Sequence, residues 1–323
     1  MSSSLTITQD PSCRHPAMLD PWRMALEWGP GSVLAVLTAT YGPAYRNPGA
    51  TMAISPDGRF AGAITSGCVE ADIILRTKEV RQTRRVQNLR YGQGSPFFDL
   101  RLPCGGAVEV RLFALQDMPV IADLARLRAH RRPVSLILSA DGRLSLGQWR
   151  PTGGDGADFH IGFRPDLRFL VFGTGAEAAA FAGLVRGMGY DHMLLSHEES
   201  SLAPVRAAGS PTRLIGPRLS PERLRVDTDT AAVLFYHDHD YEPTILRQLV
   251  HTPAFYIGAQ GSRATQAGRL AHLREMGLSD GELARIHGPI GLIPSSRDPN
   301  SLAISVLAEI VGLHGKQAEP LGR

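Results

Sequence analysis

The stretch RFLVFGTGAEAAAFAGLVRGMGY occupies residues 168–190. It opens on an unbroken apolar run, breaks at Gly-Thr-Gly, and continues as an alanine-rich segment. A short apolar run bounded by glycine predicts a strand buried on both faces, and the alanine-rich part predicts a helix. Gly173, Gly175 and Ala178 fall in a G-x-G-x-x-A pattern between the two, the context that gives this pattern meaning. Gly173 permits the tight turn. Gly175 lets a phosphate approach amides at the helix N-terminus, and Ala178 lets helix and strand pack closely.

Downstream, HMLLSH, AAVLFYH and AFYIGAQG are short apolar runs separated by helix-like stretches. Strands alternating with helices predict a parallel sheet covered on both faces, here over residues 167–315. An acidic residue that holds a dinucleotide's ribose is expected about 20 residues after the glycines. The strand end offers Ser196 and His197 first, and Glu198 only afterwards. Two readings of the turn stay open: NAD(P) binding, or a scaffold whose glycines serve only the turn.

Two other segments fall where such a sheet binds ligands, beyond the carboxyl ends of its strands. In FYHDHDYE, His237 and His239 stand two apart and share a face on a continuing strand. They are read as a polar loop that orients a ligand; a metal site would need a third ligand, and none is evident. In GAQGSRATQAGRL, Gly261, Ser262 and Arg263 start a helix. A glycine, a hydroxyl and an arginine there suit a phosphate or carboxylate, with an ordinary helix cap as the plain reading.

The N-terminal part has a different texture. LDPWRMALEWG (19–29) predicts a helix capped by Asp20, with Pro21 at its first position and Gly29 at its end. SVLAVLTATYG predicts a strand, and TMAISPDGRFAGAIT a hairpin turning at Pro56-Asp57-Gly58. AITSGCVEADIILRTKEV breaks at Ser66-Gly67, carries Cys68, and enters a helix whose basic residues extend the helical reading over 76–90. FFDLRLPCGGAVEVRLFAL predicts two strands around a Pro-Cys-Gly-Gly break containing Cys104, Gly105 and Gly106. A basic helix and a hairpin follow to residue 150. The segment 151–166, rich in Gly, Pro and Asp, is read as a linker, and residues 1–18 and 316–323 as flexible tails. The expected fold class is α/β, with a mixed α+β domain over 19–150 followed by the Rossmann-like doubly wound sheet.

Bulk properties narrow the function classes. A net charge of +3 over 323 residues is too mild to argue for nucleic acid. No apolar run approaches the length of a membrane helix, and the start lacks the order of a signal peptide. Three cysteines and no C-x-x-C pattern point to reduced thiols, a cytoplasmic home and no structural zinc. A cysteine at a helix N-terminus meets partial positive charge, which lowers a thiol pKa. Cys68 and Cys104, each beside glycine at a strand break, are therefore the candidate thiols, against the plain reading of small buried residues.

Taken in order, the segments YGPAYRNPGATMAISPDGRFAGAITSGCVEADI, RLPCGGAVEV, FLVFGTGAEAAAFA, YHDHDYE, GAQGSR and HGPIGL…SLAISVLAEIV resemble the XdhC/CoxI family, the xanthine dehydrogenase accessory factors. The resemblance runs from about residue 25 to 313, and SGCVE and PCGG are its most specific parts. It implies an N-terminal XdhC/CoxI-type domain and a C-terminal Rossmann-like domain. It also implies a chaperone for the molybdenum cofactor, as molybdopterin or its cytosine dinucleotide form. Such a protein holds the cofactor for sulfuration by a cysteine desulfurase and delivers it to an apo molybdenum hydroxylase; a homodimer is the family expectation. A soft metal with sulfur ligands suits thiolates, so Cys68 and Cys104 become the residues to contact or sulfurate the cofactor, with Cys68 a candidate molybdenum ligand. Gly67, Gly105 and Gly106 would leave room for the pterin. Arg46 stands where the family has an arginine, placed to pair with phosphate. The chain departs from the family at Ser66, Glu177, Ser196 and Ile293, most of them ligand positions of the second domain. Two rival readings stand beside this one: an NAD(P)-dependent oxidoreductase, and a non-catalytic protein that binds an apo-hydroxylase through its basic helices.

Overall fold

The protein is described by a computed structural model covering residues 15–67, 69–95, 102, 105–155, 157–216, 224–236, 241–294 and 296–318. Cys68, Cys104, His237 and His239, and all but Leu102 of the strand expected before Cys104, lie outside the described residues. The chain divides into two compact units, Met1–Pro165 and Asp166–Arg323.

In the first unit, α1 (Pro21–Trp28) starts as expected: Asp20 Oδ1 accepts from the Trp22 and Arg23 amides at 2.9 and 3.3 Å. Then come β1 (Val33–Tyr41), β2 (Thr51–Ile54), β3 (Phe60–Gly62), α2 (Glu70–Thr83), β4 (Gln87–Gly92), β5 (Ala107–Ala114) and α3 (Met118–Ala129). The strands form an antiparallel sheet in the order β3-β2-β1-β5-β4. Strand β1 is apolar at every early position because both its faces are covered. Val33, Ala35 and Leu37 join a core with Ile73 and Val80 of α2. Leu34 and Val36 join the opposite core, with Trp22 of α1 and Ile121 of α3.

That second core is closed by a further sheet of β6 (Val134–Leu138), β7 (Leu144–Gly147), β8 (Gly153–Asp155) and β9 (Asp158–Phe163), ordered β7-β6-β9-β8. The segment 151–166, read above as a linker, thus supplies two strands. Phe159 and Ile161 of β9 are core residues, and β9 pairs antiparallel with β6. Its glycines tolerate close packing: a Cβ on Gly162 would run into the Arg150 carbonyl.

The helix read over 76–90 is also corrected. It stops at Thr83, with Arg84 at φ 54° as its left-handed cap, and 87–92 form β4. Only Leu89 and Tyr91 of β4 are buried, so the polar alternation carried little strand signal.

The second unit comprises β10 (Arg168–Gly173), α4 (Gly175–Gly187), β11 (Asp191–Ser196), α5 (Glu199–Ala207), β12 (Thr212–Leu214), β13 (Thr230–Phe235), α6 (Glu242–Leu249), β14 (Tyr256–Ala259), α7 (Arg263–Glu275), α8 (Asp280–Leu283), β15 (Ile286–His287) and α9 (Pro299–Ala318). Its sheet is parallel throughout, in the order β12-β11-β10-β13-β14-β15. The order reverses beside β10, which makes a crevice at the strand ends. Phe169 and Val171 pack with α4 and α9, while Leu170 and Phe172 pack with α6 and α7. Two tail readings shorten: Pro16–Met18 make a 3-10 turn, and α9 runs past 316 to Ala318.

Candidate functional site

Register brings the turns after Tyr41 and before Ala107 to one end of the five-stranded sheet: Tyr41, at the close of β1, pairs with Ala107 at the start of β5, and Gly92, at the close of β4, pairs with the same residue. Strand β3 runs toward the same end but stops short of it, since Gly62 pairs with Met52, level with Ala35, Leu112 and Gln87. The segment after Gly62 joins this end through a side-chain contact of α2. Contacts tie them together. A Cβ on Gly106 would run into the Pro43 and Tyr41 carbonyls, and one on Gly92 into the Gly106 carbonyl. Tyr91 Oη donates to Asp72 Oδ2 at 2.7 Å, joining the first turn of α2 to β4.

The expected site residues fall unevenly within this arrangement. Gly67 (φ 105°) and Gly105 (φ 74°) are exposed, and a Cβ built on either meets nothing within 4 Å. Their glycine identity answers to backbone conformation, and among the described residues nothing approaches a Cβ at either. Gly106 answers instead to close approach. Arg46 is exposed on the turn after β1.

Three interacting groups here were not singled out in the sequence. Glu70 opens α2, yet its side chain folds back and is only 7% exposed. Oε1 accepts from the Ile64 and Thr65 amides at 3.1 and 2.6 Å. Oε2 accepts from Thr65 Oγ1 at 2.8 Å and the Val69 amide at 3.2 Å. Burial pushes the carboxyl up, but the hydrogen bonds from Thr65 and Val69 outweigh it and hold it below the usual glutamate range. Second, Arg90 Nη1 meets Glu109 Oε1 at 3.0 Å, Tyr41 Oη donates to the same oxygen at 3.1 Å, and the guanidinium lies 4.4 Å from the Tyr41 ring centre. This cluster binds the ends of β1, β4 and β5. Third, the Asp72 that accepts from Tyr91 also pairs with Arg76 at 2.6 Å.

These contacts correct one argument. Helix α2 begins at Glu70, two residues past Cys68, and its first turn carries Glu70 and Asp72. The Val69 amide is taken by Glu70, and the two acidic side chains of the first turn interact favourably with the positive helix end, which weakens the helix-terminus ground for an activated thiol at position 68.

In the second unit, Gly173 (φ 153°) has no room for a side chain against the Phe235 carbonyl, and Gly175 (φ 77°) begins α4. The Gly175 amide donates to Ser201 Oγ at 3.4 Å, and that hydroxyl donates to Glu198 Oε2 at 3.2 Å. Ser196, where the ribose carboxylate would stand, is fully buried and accepts from the Glu198 amide at 3.1 Å. His197 stacks on Tyr241 at 3.9 Å and lies 5.6 Å from Tyr236, near parallel to both. Among the described residues, Ser196 stands where a ribose carboxylate is expected and the Gly175 amide is engaged by Ser201, an arrangement that disfavours NAD(P).

Ser262 is an engaged N-cap: its Oγ accepts from the Thr265 amide at 3.1 Å, and Arg263 is exposed on the first turn of α7. Beneath them lies a network the sequence did not flag. Arg269 binds Glu242 and Gln266, each at 2.5 Å, with side chains of the ion pair only 3% and 6% exposed. It also donates to the Gln260 carbonyl at 2.5 Å, fixing the end of β14. Among the described residues, no group of three His, Cys, Asp or Glu is disposed to hold a metal ion, and no helix is long and apolar enough to cross a membrane.

Comparison with known proteins gives the following. The model of the XdhC and CoxI family matches residues 26–92, and that of the XdhC Rossmann domain matches 169–310. The chain is 37% identical over 298 residues to the molybdenum cofactor insertion chaperone PaoD of Escherichia coli, covering 91% of this chain and 87% of that protein. It is 23% identical over 326 residues to a probable xanthine dehydrogenase subunit of Bacillus subtilis, covering 87% and 92%. A crystal structure of a xanthine dehydrogenase from Bacillus halodurans superposes with a TM-score of 0.73 at 19% identity, over 94% of this chain and 98% of that one.

Proposed function

Because this chain belongs to the XdhC and CoxI family, we propose that it holds the molybdenum cofactor for sulfuration and inserts it into an apo molybdenum hydroxylase of the xanthine dehydrogenase type. The observation that carries this reading is the convergence of three glycine-bearing turns at one sheet end. All three hold a glycine at positive φ, Gly42, Gly67 and Gly105, and the last two are each adjacent in sequence to a cysteine. The donor set suits the cargo: thiols for a soft metal, exposed glycines that a pterin can approach, and the exposed Arg46 for a phosphate. Cys68 is the principal thiol and Cys104 the second. A cysteine desulfurase supplies the sulfur, and the chain works in the cytoplasm as a homodimer. The first unit, Met1–Pro165, is the cofactor-holding part. The cargo enters as molybdopterin or its cytosine dinucleotide form.

Handover tests the reading. Chain loaded with released molybdenum cofactor and incubated with a purified apo-hydroxylase is expected to restore hydroxylase activity, while unloaded chain restores none. Equal activity with and without loading overturns it. Ser196 in place of a ribose carboxylate and the engaged Gly175 amide disfavour the oxidoreductase reading. The partner-binding reading loses part of its basic surface, since Arg81 donates to the Gly31 and Ser55 carbonyls and Arg128 pairs with Asp20 at 2.6 Å.

A further inference from the structure

A glutamate at the first position of an exposed helix ordinarily points to water, where it interacts favourably with the helix N-terminus. Glu70 does the reverse. It is buried, and its two oxygens accept four hydrogen bonds from the turn that precedes it. A buried carboxylate persists only when its lone pairs are met, and here about all of a carboxylate's four sites are used. The partners are the two feet of a single turn: Ile64 and Thr65 on the way in, Val69 on the way out. Val69 is the helix N-cap and makes no side-chain cap bond, and its own amide donates to Glu70. Between the feet, Ser66 and Gly67 are exposed. Position 68 is covalently joined to Val69, whose amide Glu70 holds. The hub is in turn fastened to the sheet, because Asp72, two residues further along α2, accepts from Tyr91 of β4.

We propose that Glu70 is the positioning residue of the cysteine turn: its carboxylate ties Ile64 and Thr65 to Val69, the described residues on either side of position 68, and so sets the span from which that residue meets cargo. The proposal rests on the reading of this turn as part of the cofactor site. Glu70 touches no cargo itself. Thr65 is its principal partner, giving both an amide and a hydroxyl.

The test uses the full-length chain as wild type, Glu70→Gln, Thr65→Val and Thr65→Ser. Glutamine keeps the shape but replaces one acceptor oxygen by a donor; valine removes the hydroxyl; serine restores it. Two readouts are taken: hydrogen exchange of peptides spanning 63–69 and of peptides within β1, and pterin retained after incubation with released molybdenum cofactor and desalting. In Glu70→Gln, exchange at 63–69 is expected to rise about 10- to 100-fold, the effect of losing hydrogen bonds to a charged group, while β1 stays within about twofold. Pterin retention falls in Glu70→Gln and Thr65→Val, and Thr65→Ser recovers it. Exchange that is unchanged at 63–69, or raised equally in β1, overturns the proposal. So does pterin loss without faster exchange, which would make Glu70 a direct contact. If wild type retains no pterin, the cofactor reading fails, and the exchange data alone then decide whether Glu70 orders the turn.

Discussion

The residues that matter most at the sheet end divide by the reason they are what they are. Gly106 is constrained by contact with the Tyr41 and Pro43 carbonyls. Gly106→Ala is expected to cost about 1–3 kcal/mol, the usual range for overpacking a tight site, read as a lower urea midpoint. A midpoint equal to wild type would mean the turn after β1 moves aside freely. His192, in the second unit, offers a pH test. It is 2% exposed, with Nδ1 against the Tyr190 carbonyl at 3.0 Å and Nε2 against Ser210 Oγ at 2.9 Å. Burial pushes it below the ordinary imidazole value of 6.5, against the Tyr190 hydrogen bond. A depressed folded pKa means the neutral ring contributes stability above 6.5, lost as pH falls through the folded value. Wild type should lose thermal midpoint on acidification more steeply than His192→Asn; parallel curves would contradict this. At this scale the sequence was half legible. Glycines beside cysteines announce themselves, because few residues serve a turn of positive φ. Glu70 does not, because an acidic first turn reads as solvated helix until the fold shows where the side chain goes.

Among the elements, those with a strong period were readable and those with a mixed surface were not. β10 and α4 stood out because a strand buried on both faces, a glycine turn and an alanine-rich helix have few other interpretations. β1 was equally clear, since each face meets a different core. β4 was hidden by its polar alternation, and β8 and β9 by their glycines, of which Gly162 admits the Arg150 backbone. The crossing of α6 and α7 supplies a prediction. Glu242 and Arg269 form a buried pair at 2.5 Å, and removing one partner leaves the other charge uncompensated. Glu242→Gln should cost about 3–5 kcal/mol in chemical denaturation, whereas the double change to Glu242→Gln with Arg269→Met should recover much of it. Additive losses in the double variant would show the two side chains to be uncoupled.

For the whole molecule, the fold is that of the XdhC and CoxI family, with a Rossmann-type unit in which His197 stacks on Tyr241 beside Tyr236 and Ser196 is buried at the strand end. The parallel sheet of the second unit was legible from the alternation of apolar runs and helices, while its strand order came only with the fold. The weak case for a dinucleotide was hinted at by the missing acid after β11. Titration with NADH is accordingly expected to give no saturable fluorescence change, and micromolar binding would reopen the oxidoreductase reading. The central claim is that the turns at one end of the five-stranded sheet hold the molybdenum cofactor through Cys68. Its most direct measurement incubates wild type and Cys68→Ser with freshly released cofactor, desalts both, and assays retained pterin as its fluorescent oxidised derivative. The account predicts stoichiometric pterin on wild type and loss in the variant; equal retention in both, or none in either, would contradict it.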